Sequence, residues 1–287
     1  MRRIHASLTL FFVSLAGVLP LLRAADQLHY FLATPPEIEQ RLKDHKGNDT
    51  KREAILKALF ETVGCSGQQI IEQPVKGLKQ PNIICTLPGA AESQIVVGAH
   101  YDHVDFGEGV VDNWSGASLL PSLYQSLKSD PRHHTFVFVS FSGEEKGLVG
   151  SRFYVATLPK ESLSRIQAMV TMDTLALGPT AVWVSRSDKD LVQALNTTAY
   201  SLKLPLKGVN VEKVGQSDEE PFIERHVRTI TIHSLTQETL SILHSPRDNY
   251  DAVHFDDYYQ SYRLIAAYLA FLDQDLPTTI PVDPSRK

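Results

Sequence analysis

Three strongly apolar runs in this chain end on charged residues, and this pattern constrains its fold more than any other feature. Ile95–Ala99 runs into His100, Thr135–Phe141 is followed by Glu144 and Glu145, and Ala168–Met172 is followed by Asp173. Runs of this length with apolar residues on both faces read as buried strands. Ile83–Leu87, Ala181–Ser185 and Arg228–Ile232 read as further strands. Helical patterns lie between them. Thr50 to Glu53 reads as a capping box, with Ile55, Leu56, Leu59, Phe60 and Val63 behind it and Gly64 as the stop. Ser115 caps a helix carrying Leu119, Leu120, Leu123 and Leu127, which Pro121 bends or delays. Ser187 with Asp190 caps a helix through Leu191, Leu195 and Leu202, and Asp256 and Asp257 open a closing helix through Tyr262, Ile265, Leu269 and Leu272. Strands alternating with helices imply a single α/β domain, a mixed, mostly parallel sheet flanked by helices.

The ends of the chain read differently. Arg2, Arg3 and His5 precede an apolar run, Leu8 to Leu22, and Leu22-Arg23-Ala24 reads as a cleavage site, so residues 1–24 form a secretory signal-peptide pattern. A retained anchor is the rival reading, which the short run disfavours because spanning a bilayer takes about 20 residues. Residues 25–49 read as a helical lead-in, 50–275 as the domain, and 276–287, with Pro277, Pro281 and Pro284, as a flexible tail. The net charge of −5 becomes −8 once Arg2, Arg3 and Arg23 are removed with the leader. An acidic chain without a basic run is not built for nucleic acid. The expected location is secreted or periplasmic, without stable membrane insertion. Oligomeric state is left open. Cys65 and Cys85 pair in an oxidising compartment or stay as two buried thiols.

In open α/β sheets, ligands bind beyond the carboxyl ends of the strands. His100, Asp102, Asp112, Glu144, Glu145 and Asp173 all fall at such positions. Burying that many carboxylates together is prohibitive unless cations neutralise them. Imidazole and carboxylate ligands with open positions suit catalytic zinc, with manganese or cobalt as options.

The segments Gly98-Ala99-His100-Tyr101-Asp102, Asp112-Asn113-Trp114-Ser115-Gly116, Glu144-Glu145-Lys146-Gly147-Leu148-Val149-Gly150-Ser151, Met172-Asp173, Ser217-Asp218-Glu219-Glu220-Pro221-Phe222 and Leu243-His244 occur in this order. Together they resemble the M28 family of zinc peptidases over about residues 50–273. The resemblance implies a zinc-exopeptidase (phosphorylase/hydrolase-like) fold and a secreted, metal-dependent aminopeptidase acting on peptides with a free N-terminus. It implies two divalent ions, zinc being the expected metal. His100 and Asp173 would hold the first ion, Glu145 and His244 the second, and Asp112 would bridge them. Asp102 would orient His100, and Glu144 would be the general base.

The chain departs from that pattern in places. A short segment separates His100 from Asp112, and Thr174-Leu175-Ala176-Leu177-Gly178 follows Asp173. Glu219 and Glu220 are expected to sit in solvent, or else to favour a cationic substrate. Trp114, Phe222, Leu243 and Tyr250 are candidates for a side-chain pocket, with ordinary packing as the alternative. His103 and His254 lie near the motifs but are expected to be surface or packing residues. A glutaminyl cyclase, which resembles these motifs, is the second reading. The direct run from Glu145 into Gly147-Leu148-Val149-Gly150-Ser151 and Leu243 before His244 both disfavour it. A non-catalytic binding domain is the third.

Overall fold

The computed structural model describes residues 28–211 and 215–278. The leader pattern at 1–24 and most of the tail lie outside the described residues. The strands are β1 (Ile70–Gln73), β2 (Asn82–Leu87), β3 (Gln94–His100), β4 (Thr135–Phe141), β5 (Ile166–Met172), β6 (Ala181–Val182), β7 (Lys207–Gly208) and β8 (Thr229–His233). Among the described residues they form one 8-stranded sheet in the order β1-β2-β4-β3-β5-β8-β6-β7. The central strands β4, β3, β5 and β8 are mutually parallel. β1 and β2 close one side antiparallel, and β6 runs antiparallel to β8 on the other. This is a single mixed α/β domain.

The helices are α1 (Pro35–Lys43), α2 (Asp49–Thr62), α3 (Ser115–Ala117), α4 (Leu119–Leu127), α5 (Val149–Thr157), α6 (Lys160–Ser164), α7 (Lys189–Leu202), α8 (Glu220–Ile223) and α9 (Phe255–Asp275). Alternate residues of each central strand face opposite layers. Ile95, Val97, Phe136, Phe138, Ala168 and Val170 pack with apolar residues of α2, α4, α7 and α9. Val96, Val137, Val139, Phe141 and Met169 pack on the other face with Tyr154 of α5 and Phe222 of α8. Both faces are therefore dry, which is why these strands read as unbroken apolar runs.

Several helix starts differ from the expected caps. Asn48, not Thr50, caps α2, because Asn48 keeps extended backbone and its side chain accepts from the Lys51 N–H. Asp188, not Ser187, caps α7, accepting from the Asp190 and Leu191 N–H groups. The helix expected from Ser115 is broken into α3 and α4, and Pro121 falls in the first turn of α4, where a missing N–H costs little. The Ser115 hydroxyl donates to the Val111 carbonyl and accepts from the Leu175 N–H instead of capping. The strand expected over Ala181–Ser185 shortens to β6 and turns into a 3-10 segment at Val184–Arg186.

Cys65 and Cys85 are joined by a disulfide that ties the end of α2 to β2. A loop of this size contributes about 3 kcal/mol in the chain-entropy account. The carboxyl ends of β3, β4 and β5 share one edge, and that edge carries the charged residues.

Candidate active site

His100 is the last residue of β3, and its imidazole is buried. Its Nε2 lies 3.3 Å from Asp112 Oδ1, 3.7 Å from Asp173 Oδ1 and 4.0 Å from Glu144 Oε2. The other Asp112 oxygen lies 3.3 Å from His244 Nε2, and Glu145 Oε2 lies 3.1 Å from that same nitrogen. One carboxylate, Asp112, thus stands between the two imidazoles. The structure brings together His100, Asp112, Glu144, Glu145, Asp173 and His244, from segments far apart in sequence.

Local structure explains each placement. Glu144 and Glu145 sit in the turn between β4 and α5. Asp102 fixes that turn: its carboxylate accepts from the Glu144 N–H at 3.0 Å and the Glu145 N–H at 3.3 Å. His100 Nδ1 is 3.2 Å from the Asp102 main-chain carbonyl and 3.8 Å from its carboxylate. Asp102 therefore meets His100 chiefly through its backbone, and its side chain holds the two glutamates. Asn113, quoted in a motif but given no role from sequence, joins two parts of the site. Its Nδ2 donates to the Met172 carbonyl at 2.9 Å, and its Oδ1 accepts from the Thr174 N–H at 3.1 Å. These bonds hold the Asp112 turn against the end of β5, where Asp173 projects. Gly116 permits the close approach: a Cβ there would lie 2.7 Å from the Met172 carbonyl oxygen.

The electrostatics follow from burial and crowding. Burial pushes the Glu144 carboxyl up to about 10, with Asp218, Asp173 and Asp112 adding to the shift and His100 opposing it. Burial, with Asp112, raises Glu145 to about 7. Burial works against ionised Asp112, but hydrogen bonds from His100 and His244 hold it well below the usual carboxylate range. The same bond to Asp112, together with Glu145, raises His244 to about 9. Asp218, in the quoted motif but given no role from sequence, is fully buried behind the site and is raised to about 7 by burial.

This donor set fits a metal. His100, Asp112 and Asp173 offer ligand atoms within 4.8 Å of one another, and so do Asp112, Glu145 and His244. Glu145 Oε1 is buried without a hydrogen-bond partner, an acceptor that a cation would satisfy.

The other histidines and glutamates near the motifs lie outside the cluster. His103 pairs with Asp49 at 3.0 Å, and His254 flanks Asp257 at the start of α9. Glu219 and Glu220 are not in solvent. Glu219 is fully buried and accepts from Arg186 Nε at 3.2 Å, and Glu220 pairs with the same guanidinium. The single Arg186 guanidinium offsets one of the two negative charges, and neither carboxylate lines the cavity beside the cluster.

A cavity of about 250 Å3 opens beside the cluster. Trp183, Val211, Leu235, Leu240 and Leu243 form its apolar wall, with His233 among its polar lining. His233 is held by the Val209 carbonyl and the Leu235 N–H. Of the pocket candidates from sequence, only Leu243 lines the cavity. Trp114 is buried under α1, donating to the Arg41 carbonyl at 2.9 Å, Phe222 packs on Phe141 and Tyr154, and the Tyr250 hydroxyl bonds Glu39. Trp183, Val211, Leu235 and Leu240 stand in loops and short elements without a periodic pattern, so no sequence signal marked them.

The model of Peptidase family M28 matches residues 82–269, and the chain belongs to that family. It is 27% identical over 255 residues to Aminopeptidase YwaD of Bacillus subtilis, a match covering 85% of this chain and 53% of that protein. The chain thus spans about half the length of this curated relative. The structure of BSAP, a zinc aminopeptidase from Bacillus subtilis, superposes with a TM-score of 0.61 at 25% identity, covering 70% of this chain and 52% of that one. A glutaminyl cyclase from an Acidobacteriales bacterium superposes with a TM-score of 0.69 at 18% identity, covering 88% of this chain and 99% of that one.

Proposed function

We propose that this chain is a metal-dependent aminopeptidase that releases the first residue of peptides with a free N-terminus. The observation that carries the reading is the Asp112 carboxylate, with one oxygen 3.3 Å from His100 and the other 3.3 Å from His244. His100 and Asp173 would hold one ion, Glu145 and His244 a second, and Asp112 both. Zinc suits this set, and the zinc aminopeptidase similar to this chain supports that choice. When bound, such a pair supplies Lewis-acid polarisation of the scissile carbonyl and lowers the pKa of the attacking water.

The chain's own groups do the rest. Glu144, ionised once bound cations offset the crowding that raises its carboxyl, takes the proton from the attacking water and delivers it to the leaving amine. Asp102 aims it by holding its backbone N–H at 3.0 Å. The apolar wall of Trp183, Val211, Leu235, Leu240 and Leu243 excludes water and receives an apolar first side chain. The acidic surroundings favour the protonated α-amino group of the substrate. The Cys65–Cys85 bond supports export to an oxidising compartment, secreted or periplasmic.

A glutaminyl cyclase is the second reading, favoured by the near-complete coverage of the cyclase chain. One experiment separates the two. The zinc-loaded protein is incubated with peptides differing only in the first residue, Gln included, with and without chelator and alongside an N-acetylated control. We expect loss of a whole first residue, largest for apolar ones and abolished by acetylation and chelator. Loss of ammonia from the Gln peptide alone would make the chain a cyclase.

A further inference from the structure

Residues 244–249 carry His244 on a largely exposed loop, and Asp248 is its one buried residue, 2% exposed. The Asp248 carboxylate accepts from the Val111 N–H at 2.7 Å and the Asp112 N–H at 3.2 Å. Its main-chain carbonyl accepts from the Glu108 N–H at 2.7 Å. The segment it grips is itself fixed from below by buried Arg52, whose guanidinium donates to the Tyr101 carbonyl at 3.2 Å and the Gly109 carbonyl at 3.0 Å. Gly107 lets the two loops touch: a Cβ there would lie 2.3 Å from the Ser245 carbonyl oxygen and 3.1 Å from that of Asp248.

We propose that Asp248 is a positioning residue that docks the His244 loop onto the backbone of Asp112, so that His244, Glu145 and Asp112 converge on one ion. The proposal rests on the two-ion reading of the site. The ligands of the first ion have supports besides this bond. His100 and Asp173 are carried by the ends of β3 and β5, and Asn113 braces the Asp112 turn to β5. His244 has a side chain 56% exposed and a left-handed backbone, φ 53°, and its main chain is placed by the loop behind it. Groups that hold ligands in place typically change metal affinity by about 10–100-fold when removed. An asparagine at this position would turn an amide N–H toward one of the two backbone N–H donors that the carboxylate now accepts.

The test is equilibrium dialysis of the full chain against zinc alone, with metal content measured for wild type, Asp248→Asn and His244→Ala. We expect two ions in wild type, one in His244→Ala, and one in Asp248→Asn at zinc concentrations that saturate wild type. The second ion of Asp248→Asn should return only at about 10–100-fold higher zinc. Two ions bound by Asp248→Asn with wild-type affinity would overturn the proposal, as would equal weakening of both sites. Fewer than two ions in wild type would overturn the two-ion reading and the proposal with it, before any variant is compared. If Asp248→Asn does not fold, Gly107→Ala decides. It pushes on the same contact from the opposite side, so the same selective loss is expected, and unchanged binding would overturn the proposal.

Discussion

At the residue scale, one turn points two adjacent glutamates at different imidazoles. Glu145 reaches His244 at 3.1 Å, whereas Glu144 Oε2 stays 4.0 Å from His100. Glu144→Gln preserves shape and hydrogen-bonding reach but cannot accept and return a proton. It should bind zinc with wild-type stoichiometry and lose turnover by a factor of about 100 to 10,000, with KM little changed. Metal analysis beside steady-state kinetics on one peptide checks this, and retained turnover would remove Glu144 from the role of base. The candidate ligands were legible because His100, Glu144, Glu145 and Asp173 follow apolar strands closely and, with Asp112 and His244, fall in a recognisable order. The supports were not. Asn113, Asp248 and Arg52 act through backbone carbonyls and N–H groups of other loops, and nothing in their spacing shows which carbonyl they meet.

At the element scale, legibility tracked burial. β3, β4 and β5 are dry on both faces and stood out as apolar runs. β1 escaped notice because its central residues are exposed, and β7 because two residues at a sheet margin leave no pattern, whereas β6 was expected but too long, over Ala181–Ser185. The helices were found by their apolar faces, but their starts were misplaced, since neighbouring polar residues such as Asn48 and Thr50 compete as caps and backbone geometry selects one. Element contacts also set a pH dependence. His134, at the start of β4, is fully buried; its Nε2 meets the Leu276 carbonyl beyond α9 at 3.1 Å and its Nδ1 meets the Ser93 hydroxyl at 2.7 Å. With Nε2–H donating, Nδ1 accepts, and the ring is neutral. Burial lowers its pKa below the ordinary histidine value. The unfolded chain therefore binds a proton that the folded chain resists, and this share of stability is present above about pH 6.5 and lost as pH falls below it. Denaturant titrations between about pH 7 and 5 should show wild type losing stability more steeply than His134→Gln. Parallel slopes would show that this contact does not govern the acid limb.

At the scale of the whole molecule, the carboxyl edge of the sheet gathers repelling charges that the rest of the fold must hold together. Glu144, Glu145, Asp173 and Asp218 are crowded there, and the buried Glu145 Oε1 has no hydrogen-bond partner among the described residues. The candidate ligands come from the segments after β3, β4 and β5 and from the loop between β8 and α9, so an ion bound there would cross-link most of the sheet. Binding that requires the folded arrangement stabilises it by RT ln(1 + [L]/Kd), about 2.7 kcal/mol at a hundredfold excess over Kd. For a chain of this size each kcal/mol moves the melting temperature by roughly 2–4 °C. Zinc at that excess should therefore raise Tm by roughly 5–10 °C over the chelated protein, for each site filled. The rise should grow with the logarithm of zinc concentration, and His100→Ala should show a smaller one because it keeps only Asp112, Glu145 and His244 as a complete ligand group. Thermal melts of both proteins across a zinc series check this. A Tm indifferent to zinc and chelator would mean that the edge is held without an ion, and the metal assignment would fail at the level of the fold as well as the reaction.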